Sequence, residues 1–275
     1  MDVAVTGANG TVGTAIYDHL ADDPRYEFRW VDVATHPDHE TVVADMCDFE
    51  ALRDAFAGQD AVVHLAHAPG LTFADKTVSW SDGMTQNLRG TVNAYAAALE
   101  AGVESIVFAS TNHVVGLYER DLGRGIYDPD EGRVLDADVP VRPDSPYGAV
   151  KVFGEALGRY CAEWYDTACY AIRLGAVMDS EHDAPEELPT PDPADFGFEP
   201  GSETERRAAL HFRSLWCSRR DCAQLVARCL DDDSVTFDVF HGVSANANRW
   251  LDLEHARAVL GYDPQDGADA APIDG

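Results

Sequence analysis

Short apolar runs alternate with longer stretches of helical periodicity through the first two thirds of the chain. VAVTG (3–7), FRWVDV (28–33), TVVAD (41–45), AVVHLA (61–66), SIVFAS (105–110) and CYAIRLG (169–175) are brief and rich in strand-forming residues, and predict strands. Between them, 11–22, 49–57, 82–102 and 147–165 repeat apolar residues three and four apart, the spacing of a helix with one buried stripe. AVVHLA and SIVFAS show no polar alternation, as expected of central strands in a parallel sheet covered on both faces. Strand and helix in turn predict a doubly wound α/β sheet with right-handed crossovers.

The regularity breaks twice. Residues 119–146, rich in Asp, Gly, Arg and Pro, predict a long loop after the fifth strand. Residues 179–205 are proline-rich and acidic and predict a surface insertion or a lid over a site. A helix at about 219–231, a strand in VTFDVF (235–240) and a short helix in LEHARAVLG (253–261) follow. The expectation is one domain over 1–275, with 1–178 mainly the sheet core. Residues 179–275 are then mainly a small substrate-side lobe carrying the 179–205 insertion.

Composition narrows the class. A chain of 275 residues with 45% hydrophobic content can bury a real core. No apolar run approaches the ~20 residues of a membrane span, and the first residues enter a strand pattern directly, so the expectation is a cytoplasmic protein. Forty-nine acidic against 20 basic residues give a formal net charge of −29, spread along the whole chain. Such a surface repels nucleic acid and anionic membranes. Only two of the basic residues are lysines, Lys76 and Lys151. Acid excess with lysine nearly absent predicts adaptation to molar salt, where screening over ~3 Å removes self-repulsion. The six cysteines show no CxxC spacing and the ten histidines no zinc-type box, so buried thiols and no metal are expected.

VTGANGTVG follows the first strand at once and opens the first helix, with Gly7, Gly10 and Gly13 spaced three apart. Gly7 suits a tight turn, Gly10 a close approach of backbone to a pyrophosphate, and Gly13 close packing of helix on sheet. The turn as a whole, with Asn9, Thr11 and Val12, is therefore a dinucleotide-binding candidate. Asp32 ends the second strand, placed to accept ribose hydroxyls, and no Lys or Arg lies between it and the next strand. That favours NAD over NADP. Asp45 is placed either to reach the adenine or to cap the next segment. Leu65, Ala66 and His67 leave the fourth strand where backbone approaches a cofactor; for His64 and His67 a purely structural role is the competing reading.

SPYGAVK (145–151) holds the chemistry. Tyr147 and Lys151, four apart, share one helix face. An ammonium beside a phenol favours the phenolate, so the pair predicts a lowered tyrosine pKa and a general base that takes a hydroxyl proton while hydride leaves the same carbon. Ser110 and Thr111 close the fifth strand at the edge where ligands bind in such sheets, and Asn87 lies on the preceding long helix.

TGxxGxxG at 6–13, NxxGT at 87–91, the Ser/Thr strand end and YxxxK at 147–151 together resemble the extended short-chain dehydrogenases/reductases of the NAD-dependent epimerase/dehydratase type. The resemblance covers nearly the whole chain. It implies a Rossmann fold, bound NAD, a homodimer through the helices at 82–102 and 147–165, and a catalytic set of Thr111, Tyr147 and Lys151. FASTNHVVGLYE, RPDSPYGAVKVFGE, GVSANANRW and ARAVLGYDPQD are further similar to uronate dehydrogenases and to haloarchaeal NAD-dependent glucose-6-phosphate dehydrogenases. That likeness implies oxidation of the anomeric hydroxyl of an aldose to a lactone, with Asn112 and His113 facing the sugar. Those relatives carry an arginine, suited to a carboxylate or phosphate, where this chain has His211. After AIRLG they carry a polar residue where this chain has Ala176. Neutral, phosphorylated and acidic sugars all stay open as substrates. A nucleotide-sugar epimerase or dehydratase is the alternative activity.

Overall fold

The computed structural model describes residues 1–69, 71, 79–128, 130, 133–185 and 202–269. Its strands are β1 (Asp2–Thr6), β2 (Glu27–Asp32), β3 (Thr41–Val43), β4 (Ala61–His64), β5 (Ser105–Thr111), β6 (Ala168–Leu174) and β7 (Phe237–Gly242). They form one sheet in the order β3-β2-β1-β4-β5-β6-β7, and every pairing is parallel. Thr6 pairs with Val31 on one side and His64 on the other. The order reverses between β1 and β4, which opens a crevice at the carboxyl edge.

The helices are α1 (Thr11–Leu20), α2 (Phe49–Phe56), α3 (Trp80–Ala101), α4 (Gly116–Leu122), α5 (Pro146–Tyr165), α6 (Glu203–Leu215), α7 (Arg219–Asp231) and α8 (Glu254–Leu260). Side chains of successive strand residues point to opposite faces, and the core divides accordingly. Val3, Val5, Val63, Val107 and Ile172 pack with Ile16 of α1, Val226 of α7 and Leu260 of α8. Ala4, Val62, Ile106, Phe108 and Ala171 pack with Phe56 of α2, Ala97 of α3 and Cys161 of α5. Each large apolar side chain so buried contributes roughly 1.5–3 kcal/mol. This two-sided burial is why the central strands show no polar alternation. Five cysteines are buried, Cys47 is half-buried, and all six are free thiols.

Caps set where the site-bearing helices begin. Ser145 accepts from the Gly148 backbone N–H at 3.1 Å, and Pro146 occupies the first turn of α5, so Tyr147 and Lys151 start from a fixed point. Two elements depart from the sequence pattern. The expected loop at 119–146 carries the end of α4 and a 3-10 turn at Gly123–Tyr127, both too short to show a periodic stripe. Helix α6 starts within the 179–205 stretch, where Ser202 accepts from Glu205 N–H at 3.2 Å. Its buried apolar side chains among the described residues are Leu210 and Leu215, too few to signal a helix. Residues 186–201 of the expected insertion, and Lys76, lie outside the described residues.

Candidate active site

The turn after β1 is shaped for a ligand. Gly7 has φ +71°, and a Cβ there would sit 2.7 Å from the Ala66 backbone nitrogen; a Cβ on Gly13 would sit 2.3 Å from the Ala8 carbonyl oxygen. Only glycine allows the turn and the close seating of α1. Gly10 caps α1 without a side-chain hydrogen bond, which leaves the first N–H groups of the helix free for an anion. The Asn9 backbone N–H donates to Asp32 Oδ2 at 2.9 Å and Val33 N–H donates to Oδ1 at 2.7 Å, which orients the carboxylate. Asn9 Oδ1 is buried and has no protein partner. An uncapped helix N-terminus, an oriented acid and an orphaned buried acceptor fit a dinucleotide.

A cleft of about 970 Å³ runs from this turn across the carboxyl edge of the sheet. Gly7, Asn9, Gly10, Thr11, Val12, Gly13, Asp32, Asp45, Leu65, Ala66, His67, Thr111, Tyr147 and Lys151 all line it. Asp45 lines the cleft and its Oδ1 accepts from Cys47 N–H at 2.8 Å, while the cap of α2 is Asp48. His64 is buried in the sheet with its Nδ1 2.8 Å from Thr6 Oγ1, and burial lowers its pKa to about 3. It is a neutral structural histidine.

At the far end Tyr147 sits between two imidazoles, its ring 5.6 Å from that of His67 and 5.9 Å, edge-on, from that of His113. Lys151 Nζ lies 5.6 Å from the Tyr147 ring centroid and 4.9 Å from that of Phe108. The expected lowering of the tyrosine pKa does not hold. Burial raises Tyr147 to about 12, with a hydrogen bond from Thr111 pulling the other way, and burial lowers Lys151 to about 8. Desolvation disfavours both charges and is the first cause of both shifts.

Four expected site residues do not line this cleft. Asn87 spends its amide on backbone: Oδ1 accepts from Ala68 N–H at 2.9 Å, and Nδ2 donates to Ala68 O at 3.0 Å and Gly83 O at 2.8 Å. It holds the loop after β4 in place. Asn112 is buried in the 3-10 turn that follows Thr111. His113 Nδ1 lies 3.0 Å from both oxygens of Asp144, which fixes its ring beside Tyr147. His211 Nδ1 lies 2.8 and 2.9 Å from the oxygens of Glu119, which also accepts from the Tyr127 hydroxyl. Burial pushes the Glu119 pKa up, but His211, Tyr127 and the nearby Arg207 hold it below the usual range.

Two features escape the sequence reading. Arg89 of α3 lines the nucleotide part of the cleft beside Cys47 and Gln86. Arg173 forms a bidentate pair with Glu155 (2.9 Å for both bonds), and the Oγ of Ser110, the neighbour of Thr111 in the chain, donates to the same carboxylate at 2.6 Å. Glu155 falls four residues after Lys151, so Arg173 ties the Tyr–Lys helix to β6 and Ser110 ties it to the end of β5 that carries Thr111. Spacing from Lys151 was the one available signal.

A glycine turn at a sheet reversal, an oriented acid on β2 and a Thr–Tyr–Lys set across the same cleft define a dinucleotide-dependent oxidoreductase. The model of the NAD dependent epimerase/dehydratase family matches residues 3–187. The chain belongs to that family and is an NAD-dependent oxidoreductase. It is 34% identical to the NAD-dependent glucose-6-phosphate dehydrogenase of Haloferax volcanii, over 97% of this chain and 94% of that one. It is also 34% identical to the L-arabinose 1-dehydrogenase (NAD(P)(+)) of the same organism, over 97% of both chains. Among solved structures it resembles a variant of uronate dehydrogenase from Agrobacterium tumefaciens complexed with NAD, with a TM-score of 0.71 and 27% identity over 97% of this chain and 85% of that one.

Proposed function

We propose that the protein is an NAD-dependent sugar dehydrogenase that oxidises the anomeric hydroxyl of an aldose to a lactone. The observation that carries this reading is the convergence of Thr111, Tyr147 and Lys151 on the cleft that begins at the glycine turn. Similarity to dehydrogenases of glucose 6-phosphate, arabinose and uronates supports a sugar as substrate. Bound NAD supplies the hydride acceptor.

Thr111 holds the reacting oxygen and Tyr147 takes its proton as the C1–H bond gives up hydride. Lys151 steadies the phenolate from the same helix face. His113, fixed by Asp144 beside Tyr147, faces the sugar. A homodimer buries the outer faces of α3 and α5, where Val92, Phe153, Tyr160 and Trp164 are exposed.

Product analysis tests the reaction. Incubation with NAD and a panel of glucose 6-phosphate, glucuronate, galacturonate and neutral aldoses should give one NADH per lactone, trapped as its hydroxamate. A sugar isomer formed without net NADH, with NAD released only when the purified protein is heated, would replace this reading with an epimerase.

A further inference from the structure

Arg219 opens α7 in the last third of the chain, yet its side chain ends at the cofactor turn. It is 4% exposed. One guanidinium nitrogen donates to the carbonyl oxygens of Thr11, at 3.1 Å, and Met178, at 3.4 Å. Another donates to Asp18 Oδ2 at 2.5 Å. Its backbone N–H donates to both oxygens of Asp183, at 3.1 and 3.2 Å. Ser218 caps α7 by accepting from Asp221 N–H, so the point from which Arg219 reaches out is itself fixed.

Thr11 and Val177, the neighbour of Met178, both line the cleft. They belong to segments more than 160 residues apart that share no strand pairing: Thr11 begins α1, and Met178 follows the exit of β6. One buried planar fork bridges them. We propose that Arg219 is a positioning residue for NAD, holding the N-terminus of α1 at a set spacing from the β6 exit. The proposal rests on NAD binding at the glycine turn and on no particular sugar.

The chemistry is specific to arginine. A planar guanidinium satisfies two carbonyls and a carboxylate at once, whereas an ammonium presents a single point of charge and cannot span them. Removal of the fork would also leave the Asp18 carboxylate, in the last turn of α1, without its guanidinium partner, while Asp183 keeps the backbone N–H of residue 219. The loss therefore falls on cofactor affinity. Thr111, Tyr147 and Lys151 stand on β5 and α5, and the hydrogen bonds of Arg219 among the described residues go elsewhere, so turnover at saturating NAD is spared.

The test compares NAD dissociation constants, KM for NAD, kcat and thermal midpoints of wild type, Arg219→Ala, Arg219→Lys and Ile106→Val. Ile106 is buried near the amino end of β5, away from the cleft, and its variant serves as a destabilised control. Expected are a rise of about tenfold or more in Kd and KM for NAD in Arg219→Ala and about threefold or more in Arg219→Lys. Their kcat stays within about threefold of wild type, and Ile106→Val binds NAD normally. NAD affinity unchanged in Arg219→Ala would overturn the proposal; if that variant does not fold, unchanged affinity in Arg219→Lys would do so. A fall in kcat with KM for NAD unaltered, or an equal loss of affinity in Ile106→Val, would also overturn it.

Discussion

Burial acts on Tyr147 and Lys151 in opposite directions, and rate and stability both register it. With the phenol raised to about 12, and Thr111 drawing it down, the reactive phenolate becomes more abundant as pH rises. The account predicts that kcat/KM climbs from neutral pH into the alkaline range. Thr111→Val should move the climb to still higher pH and cost about 10–100-fold in rate; a pH–rate profile of the variant checks both. Folded Lys151 has its pKa lowered from 10.5 to about 8, so between these values the unfolded chain binds more protons. Stability therefore rises with pH across that window, and the penalty is complete below about 8. It amounts to about 3 kcal/mol. Denaturant titrations should find Lys151→Met more stable than wild type at pH 7, with the advantage shrinking towards pH 10.5. The pair itself was legible in the sequence, because a spacing of four and a scarcity of lysine are sequence properties. The direction of the pKa shifts was not, because it depends on burial, which the folded chain alone defines.

At the scale of elements, the seating of α5 on the sheet decides where Tyr147 and Lys151 stand against Thr111. A Cβ on Gly154 would lie 2.2 Å from Phe108 Cζ, and the Phe108 ring also carries the Lys151 ammonium. Gly154→Ala should push α5 outward, costing about 1–3 kcal/mol of stability. It should lower kcat with little change in NAD affinity, since the glycine turn belongs to β1 and α1. Binding and turnover measured on one preparation separate the two effects. Most elements were legible because burial on both faces writes apolar runs into the strands and stripes into the helices. Helix α6 was not, since its capping serine follows a proline-rich stretch and its buried apolar side chains are few. The Glu155–Arg173 pair was hidden for a different reason: it joins α5 to β6, and only the folded register brings them together.

At the scale of the molecule, a net charge of −29 sets the conditions under which the fold persists. Self-repulsion weakens as the screening length falls from ~10 Å at 0.1 M to ~3 Å at 1 M salt. The thermal midpoint should rise steeply between about 0.2 and 2 M KCl, and a scan series in KCl that stays flat would contradict adaptation to salt. The two halves of the site differ in how they are encoded. The nucleotide half takes a contiguous turn and the ends of successive strands, so the linear sequence displays it. The proposed substrate half would draw on residues far apart in the chain, as Glu119 and His211 are, which meet across 92 positions. Pattern and spacing therefore point to the cofactor and to the proposed base well before they point to a substrate.

The central claim is that Tyr147 takes the proton as an aldose gives hydride to NAD. It is tested most directly by NADH formation in high KCl, with wild type and Tyr147→Phe compared on the same aldose panel and NAD affinity measured for both. The account predicts turnover of at least one aldose by wild type, a loss of about 10²–10⁴-fold in the variant, and NAD binding within about threefold of wild type. Equal turnover by both proteins, or no turnover of any aldose by a wild type that binds NAD, would contradict it.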